Sequence, residues 1–254
     1  MLESLDFHYN GISSIEMGLL NVNTEGGLFE ELFLPNRTIN TMTVKGNSKS
    51  YLQSIERENI SLPLSFLLPE KFNESEIKAI KQWLYQDYYK EFYFDDYPDK
   101  RFYMMYDGDF TIVHTGNGQG YVKLTLVSNS PFSYSPYYTV NLTANDAVNG
   151  ITYAFKNEGD LPIYPEIWMK ITAGSGRVQI VNQTTNKTFE FNNLALNETV
   201  YVDNEKEDIL TDLALTYRYN NHNGNFLELV RGTNTLKIIG QCTITLKYRY
   251  TNLM

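Results

Sequence analysis

A two-residue alternation of apolar and polar side chains constrains this chain most. In QCTITLKYRY, residues 241 to 250, Cys242, Ile244, Leu246, Tyr248 and Tyr250 fall on one side and Thr243, Thr245, Lys247 and Arg249 on the other. Successive side chains of a strand point to opposite faces, so this run reads as a strand with one buried and one wet face. The same grammar recurs after residue 136 in YYTVNLT, ITYAF, EIWMKI, RVQIV, KTFEF, TVYV, LALTY, FLEL and TLKII, separated by Asn, Gly, Asp and Thr. Short strands with turns and no helix between them predict an antiparallel β-sandwich.

The first half is organised differently. ISSIEMGLL, TINTMTVKG, NISLPLSFLL, KEFYFDD, KRFYMMYDG, DFTIVHTG and GYVKLTLVS read as strands, but FNESEIKAIKQWLYQDYY places Ile77, Ile80, Leu84 and Tyr88 at spacings of 3, 4 and 4. That spacing predicts one helix, over about residues 74 to 89, inserted in a β domain. Asn73 and Glu76 have the spacing of a capping pair, each side chain able to satisfy an unpaired N–H of the first turn.

Between the halves lies VSNSPFSYSPYY, residues 127 to 138. Pro131 and Pro136 each lack the N–H that strand pairing needs, and each restricts the residue before it. A chain of 254 residues exceeds the roughly 100 to 200 of a common domain. The expectation is a mainly β chain of two domains, 1–133 with the inserted helix and 134–254, joined by a short semi-rigid segment open to proteolysis near Ser133 to Ser135.

Motifs for chemistry are sparse. His8, His114 and His222 lie far apart and form no metal-ligand pair, so each is expected on the surface or in a loop. Cys242 sits on the apolar side of its strand and reads as a small core residue with a raised pKa; as the lone cysteine it excludes an internal disulfide. HTGNGQGY precedes a strand, not the helix an anion site needs, and reads as a hairpin turn. Asp95, Asp96, Asp99, Asp107 and Asp109 flank Pro98 and Gly108, where Asp favours turns. DNEKED, residues 203 to 208, reads as a solvated loop. Sequons at Asn36, Asn141 and Asn197 are by-products of an Asn- and Thr-rich sequence. No catalytic cluster, cofactor site or metal site is expected.

Binding classes narrow in the same way. With 21 Lys and Arg against 30 Asp and Glu, a net charge of −9 and no basic block, the counterion-release term for nucleic acid is missing. No run nears the ~20 apolar residues of a membrane helix, and MLESLDFHYN lacks the basic and apolar segments of a secretion signal, so synthesis in the cytosol is expected. Aromatic residues are abundant, with 20 tyrosines, and a β-sandwich displaying rings and amides can hold sugars by stacking. Trp168, opposite Ile167 and Met169 in the alternation, is the candidate ligand residue, with Tyr153 and Tyr164 beside it.

Taken in order, FHYNGISSIEMGLL, the TVKG strand, the helix ending in WLYQ, FYFDDYPDKRFYMMY and VKLTLVSNSPFSYSP resemble the amino-terminal domain of the distal tail proteins of siphophages of Gram-positive hosts. ETVYVDNEKEDIL and LELVRGTNTLKIIGQCTITLKYRY resemble the carboxy-terminal half of the same family. The resemblance spans essentially the whole chain. It implies a non-enzymatic, hexameric virion hub, assembled in the host cytoplasm, that joins the tail tube protein to the tail-tip protein and to receptor-binding or adhesion proteins. Its first domain would form the ring and its second would be a galectin-like sandwich. The residue-level alternative is a carbohydrate-binding module in host attachment.

Overall fold

The computed structural model describes residues 5–22, 34, 36–68, 73–114 and 120–253. They fall into two compact units, one reaching to Ser135 and the other built on Pro136–Asn252.

The first unit runs β1 (Phe7–Tyr9), β2 (Ile12–Ser13), β3 (Leu20–Asn21), β4 (Arg37–Thr43), β5 (Ser50–Arg57), β6 (Ser61–Leu68), α1 (Glu74–Leu84), β7 (Lys90–Phe94), β8 (Phe102–His114), β9 (Gly120–Ser128) and β10 (Ser133–Tyr134). Seven strands make one antiparallel sheet in the order β2-β1-β7-β8-β9-β6-β3. This sheet is strongly curled. Phe7 of β1 and Phe66 of β6 stack with centroids 4.8 Å apart, yet four strand steps separate them, which in a flat sheet would span roughly 19 Å. The edges also approach, as the Asn21 amide of β3 donates to the Leu5 carbonyl ahead of β1 at 2.9 Å. The curl wraps a core of Phe7, Phe66, Phe92, Phe94 and Leu126, which α1 closes with Ile80, Trp83 and Leu84. Trp83 satisfies its indole N–H on the Tyr9 carbonyl at 2.8 Å.

The capping box of α1 is present: Asn73 Oδ1 accepts from the Glu76 amide at 3.0 Å and Glu76 Oε2 from the Asn73 amide at 2.9 Å. The helix stops at Leu84, short of the expected residue 89. Tyr85 leaves helical geometry, and Gln86 Nε2 donates to the carbonyls of Gln82 and Trp83, satisfying acceptors that a further turn would have used. Tyr88, assigned to the apolar stripe by spacing, is exposed.

The second unit contains β11 (Tyr138–Ala144), β12 (Ile151–Asn157), β13 (Glu166–Ile171), β14 (Val178–Asn182), β15 (Lys187–Phe191), β16 (Thr199–Asp203), β17 (Asp208–Thr211), β18 (Gly232–Ile239) and β19 (Cys242–Tyr248). They form a five-stranded sheet, β11-β19-β13-β16-β17, and a four-stranded sheet, β12-β18-β14-β15. Alternation assigns the faces: Ile167, Met169, Val200, Val202, Ile244 and Leu246 of one sheet share a core with Ile180, Phe189, Phe191 and Leu236 of the other. This is the expected antiparallel sandwich. The abundant Asn has a local cause, since Asn186, Asn193 and Asn197 adopt φ of 57°, 58° and 65° in the turns, a region Asn tolerates better than most residues.

Candidate functional site

Two surfaces stand out, one in each unit. In the first, β4 and β5 pair only with each other among the described residues, and nearly every side chain of both strands is exposed. Ile39 lies opposite Ile55 and Thr41 opposite Leu52, with Gln53 left over as a bulge, so Ile39, Leu52 and Ile55 share one face of the ribbon. The other face is mixed: Asn40 Nδ2 donates to Ser54 Oγ at 3.0 Å and to Glu56 Oε1 at 2.8 Å, while Met42 lies opposite Tyr51, both exposed. Asn47 Nδ2 donates to the Tyr51 hydroxyl at 2.8 Å. A two-stranded ribbon standing alone in water is marginal, and apolar side chains clustered on such a ribbon mark a surface built to be covered.

In the second unit, the outer face of the five-stranded sheet carries Trp168. Its ring lies 4.8 Å from that of Tyr201, its register partner on β16. On its other side the register partner is Thr245, whose hydroxyl donates to Asn141 Oδ1 at 2.7 Å. The Tyr201 hydroxyl donates to Glu166 Oε2 at 3.0 Å, and Lys247 Nζ reaches Glu166 Oε1 at 3.2 Å. Burial, and then the Glu166 carboxylate, push the Tyr201 hydroxyl above the ordinary tyrosine range. The row Asn141, Thr245, Trp168, Tyr201 thus crosses four neighbouring strands with amide, hydroxyl and ring groups in line.

The other two ring candidates lie elsewhere. Tyr153, on β12 of the opposite sheet, packs partly on the core and donates to the Thr143 carbonyl at 2.6 Å, and Tyr164 reaches Glu228 Oε1 at 3.3 Å. Asn141, Thr245 and Tyr201 are the members that sequence reading missed; for Tyr201 the signal was the TVYV alternation, which turns it outward as EIWMKI turns Trp168.

The groups tested for chemistry are dispersed. His8 Nε2 is 3.0 Å from Asp95 Oδ1 and stacks on Tyr93. Asp107 and Asp109 flank Gly108, φ 87°, where the β8–β9 register slips. Asp203 and Asp208 are paired across β16 and β17 around the turn of DNEKED. Cys242 is wholly buried, and burial pushes its thiol up to about 12. His222 lies in a loop, as expected, but is packed among Phe189, Phe191 and Phe226, with centroids 4.9, 4.7 and 4.8 Å away. The glycine turn of HTGNGQGY lies outside the described residues, between the register partners His114 and Gly120.

The stretch around Pro131 is strapped to the first unit. The Arg101 amide donates to the Tyr134 carbonyl at 2.7 Å and the Tyr134 amide to the Arg101 carbonyl at 2.8 Å. The Tyr134 hydroxyl donates to Ser130 Oγ at 2.8 Å, and Ser133 and Ser135 are buried. Cleavage between Ser133 and Ser135 therefore requires this strap to open locally.

Residues 2–130 match a family model described as the phage tail protein N-terminal domain, and residues 132–248 match one described as the phage tail C-terminal domain. This chain belongs to the phage tail proteins. The tail protein is 33% identical over 250 residues to the SPbeta prophage-derived uncharacterized protein YomH of Bacillus subtilis (strain 168), covering 98% of both chains. Its fold is that of the SPP1 Dit protein, described as a paradigm of the hub adsorption apparatus in phages infecting Gram-positive bacteria. The TM-score is 0.72 at 15% identity, over 98% of this chain and 100% of that one. The two surfaces, on the ribbon and around Trp168, are thus features of a tail component.

Proposed function

We propose that this phage tail protein is a structural hub of the tail tip: a non-enzymatic homo-hexamer, assembled in the host cytoplasm, that joins the tail tube to the tail-tip and host-adhesion proteins. In this reading the first unit forms the ring and the second, galectin-like, faces outward. The observation that carries it is the β4–β5 ribbon, which leaves Ile39, Leu52 and Ile55 exposed on one face among the described residues. Burying one such side chain stabilises by about 1.5–3 kcal/mol, and a ring repeats that gain at every interface. The net charge of −9 suits a lumen that DNA must cross without being held. Light scattering on the purified chain tests the reading. A particle of six times 29.4 kDa supports it; a monomer at high concentration, even with tail-tip protein present, overturns it.

A second reading, glycan binding in host attachment, is favoured by the row of Asn141, Thr245, Trp168 and Tyr201. Rings beside amide and hydroxyl groups can stack on a sugar face and bond its hydroxyls. Calorimetry against host wall polymers is the test. Trp168→Ala is expected to abolish the heat of binding, and a silent titration of the intact protein removes this reading while leaving the hub untouched.

A further inference from the structure

Among the described residues the two sheets of the sandwich end in β11 and β17 on one and in β12 and β15 on the other. An edge strand offers a row of unpaired N–H and C=O groups to any other extended chain, and proteins blunt such edges with caps or charges. Three of these edges are blunted. On β15 the Asn223 side chain accepts from the Glu190 amide at 3.3 Å and donates to the Thr188 carbonyl at 2.7 Å, and the Asn192 amide donates to the Asn221 carbonyl at 2.9 Å. On β17 the Ile209 amide donates to the Tyr219 hydroxyl at 3.2 Å, and Asp208 adds a charge. On β12 Lys156 stands at the edge, and the Tyr250 hydroxyl donates to its carbonyl at 3.4 Å.

The strand β11 differs. Its seven residues, YTVNLTA, include no charge, proline or glycine. The ladder shows which of its backbone groups face outward. The Gly240 amide donates to the Asp146 carbonyl at 3.1 Å, in the register that pairs Leu142 with Ile244. Antiparallel bonds fall on alternate residues, so the even-numbered residues of β11 bond to β19. Thr139, Asn141 and Thr143 therefore turn their N–H and C=O to the free edge, and the Tyr153 hydroxyl meets the Thr143 carbonyl there at 2.6 Å. The other free-edge groups of these three residues meet no partner among the described residues. Their side chains are exposed on the outer face, while Val140 and Leu142 point inward and are half-buried.

Only another extended backbone matches such a row, and the residues along the edge select which. Set antiparallel against a second copy of itself about Asn141, β11 places Asn141 opposite Asn141 and Thr139 opposite Thr143 on the outer face. On the inner face Val140 falls opposite Leu142. Polar side chains then meet polar ones, apolar meet apolar, and no like charges stand opposite one another, the arrangement that stabilises a strand pair.

We propose that β11 pairs with β11 of a second copy across a two-fold axis, so that two five-stranded sheets continue as one. The contact is isologous, the same strand on both sides. A two-fold contact by itself forms pairs, not rings, so it is additional to the interface of the proposed hub and does not depend on it. It also brings the rows of Asn141, Thr245, Trp168 and Tyr201 of the two copies end to end at Asn141.

The test uses full-length cysteine variants under mild oxidation; the native Cys242 is buried and does not compete. Facing Cα atoms of a hydrogen-bonded antiparallel pair lie about 5.5 Å apart, within disulfide reach. Asn141→Cys is expected to give a covalent homodimer by itself, whereas Thr139→Cys and Thr143→Cys are expected to cross-link only when mixed. Asn141→Pro supplies an independent reading, because the amide it removes bonds nothing in its own sheet and an edge strand tolerates proline at such a position. Light scattering is done on the chain carrying Ile39→Asp and Ile55→Asp, which removes the ribbon contact. A concentration-dependent dimer is expected, and adding Asn141→Pro should raise its half-dimerisation concentration at least tenfold with an unchanged circular dichroism spectrum. A ribbon variant that stays monomeric, a dimer that tolerates Asn141→Pro, or cross-linking of Thr139→Cys alone overturns this pairing and leaves the hub standing. A wild-type chain that pairs through Asn141→Cys but never exceeds a dimer keeps the pairing and overturns the hub.

Discussion

At the scale of single residues, Cys242 and His222 show how far alternation reaches. Cys242 belongs to a run whose periodicity alone puts it inside, and it is inside. His222 has no periodic neighbours; the cage around it combines β15 with a loop that returns through Phe226, so only the fold brings these rings together. Burial lowers its pKa from 6.5 to about 4, and its Nδ1 accepts from the Gly224 amide at 3.3 Å, which requires a neutral ring. As the pH falls, the unfolded chain takes a proton before the folded chain does, so stability is fully present above about pH 6.5 and is lost toward pH 4, by up to about 3 kcal/mol. His222→Leu should flatten that loss. Urea unfolding of both proteins at pH 7 and pH 4.5 checks it, and equal acid sensitivity would show that other groups carry the effect.

At the scale of elements, α1 and the β4–β5 ribbon differ in what sequence could disclose. The start of α1 was legible because its cap is local: Asn73 and Glu76 bond across three residues. Its end was not, because the stripe through Tyr88 persists in the sequence after Gln86 has already satisfied the last carbonyls. The ribbon reads as ordinary strands, yet no described element covers either face. Charge placed on its apolar face should therefore cost assembly and little else: Ile39→Asp with Ile55→Asp is expected to leave the monomer's unfolding midpoint within the roughly 0.5 kcal/mol typical of surface changes, while abolishing the high-mass particle. A large drop in monomer stability would instead place Ile39 and Ile55 in the chain's own core.

At the scale of the whole molecule, each unit has its own core, Phe-rich within the curled sheet and Ile-, Val- and Leu-rich within the sandwich. A fragment of residues 136–254 is thus expected to fold with a single cooperative transition, followed by circular dichroism, and to keep any glycan binding that Trp168 supports; a fragment that stays unfolded would show that the sandwich depends on the rest of the chain. Sequence by itself determined the β class, the faces of the sandwich strands, the start of the helix and the kinship with phage tail proteins, because alternation, caps and ordered motifs are properties of neighbouring residues. Tertiary structure alone decided the curl that stacks Phe7 on Phe66, the cage around His222, the pairing of Trp168 with Tyr201, and which apolar side chains stay uncovered. A side chain's period names its face, but whether that face is covered depends on elements far away in the chain.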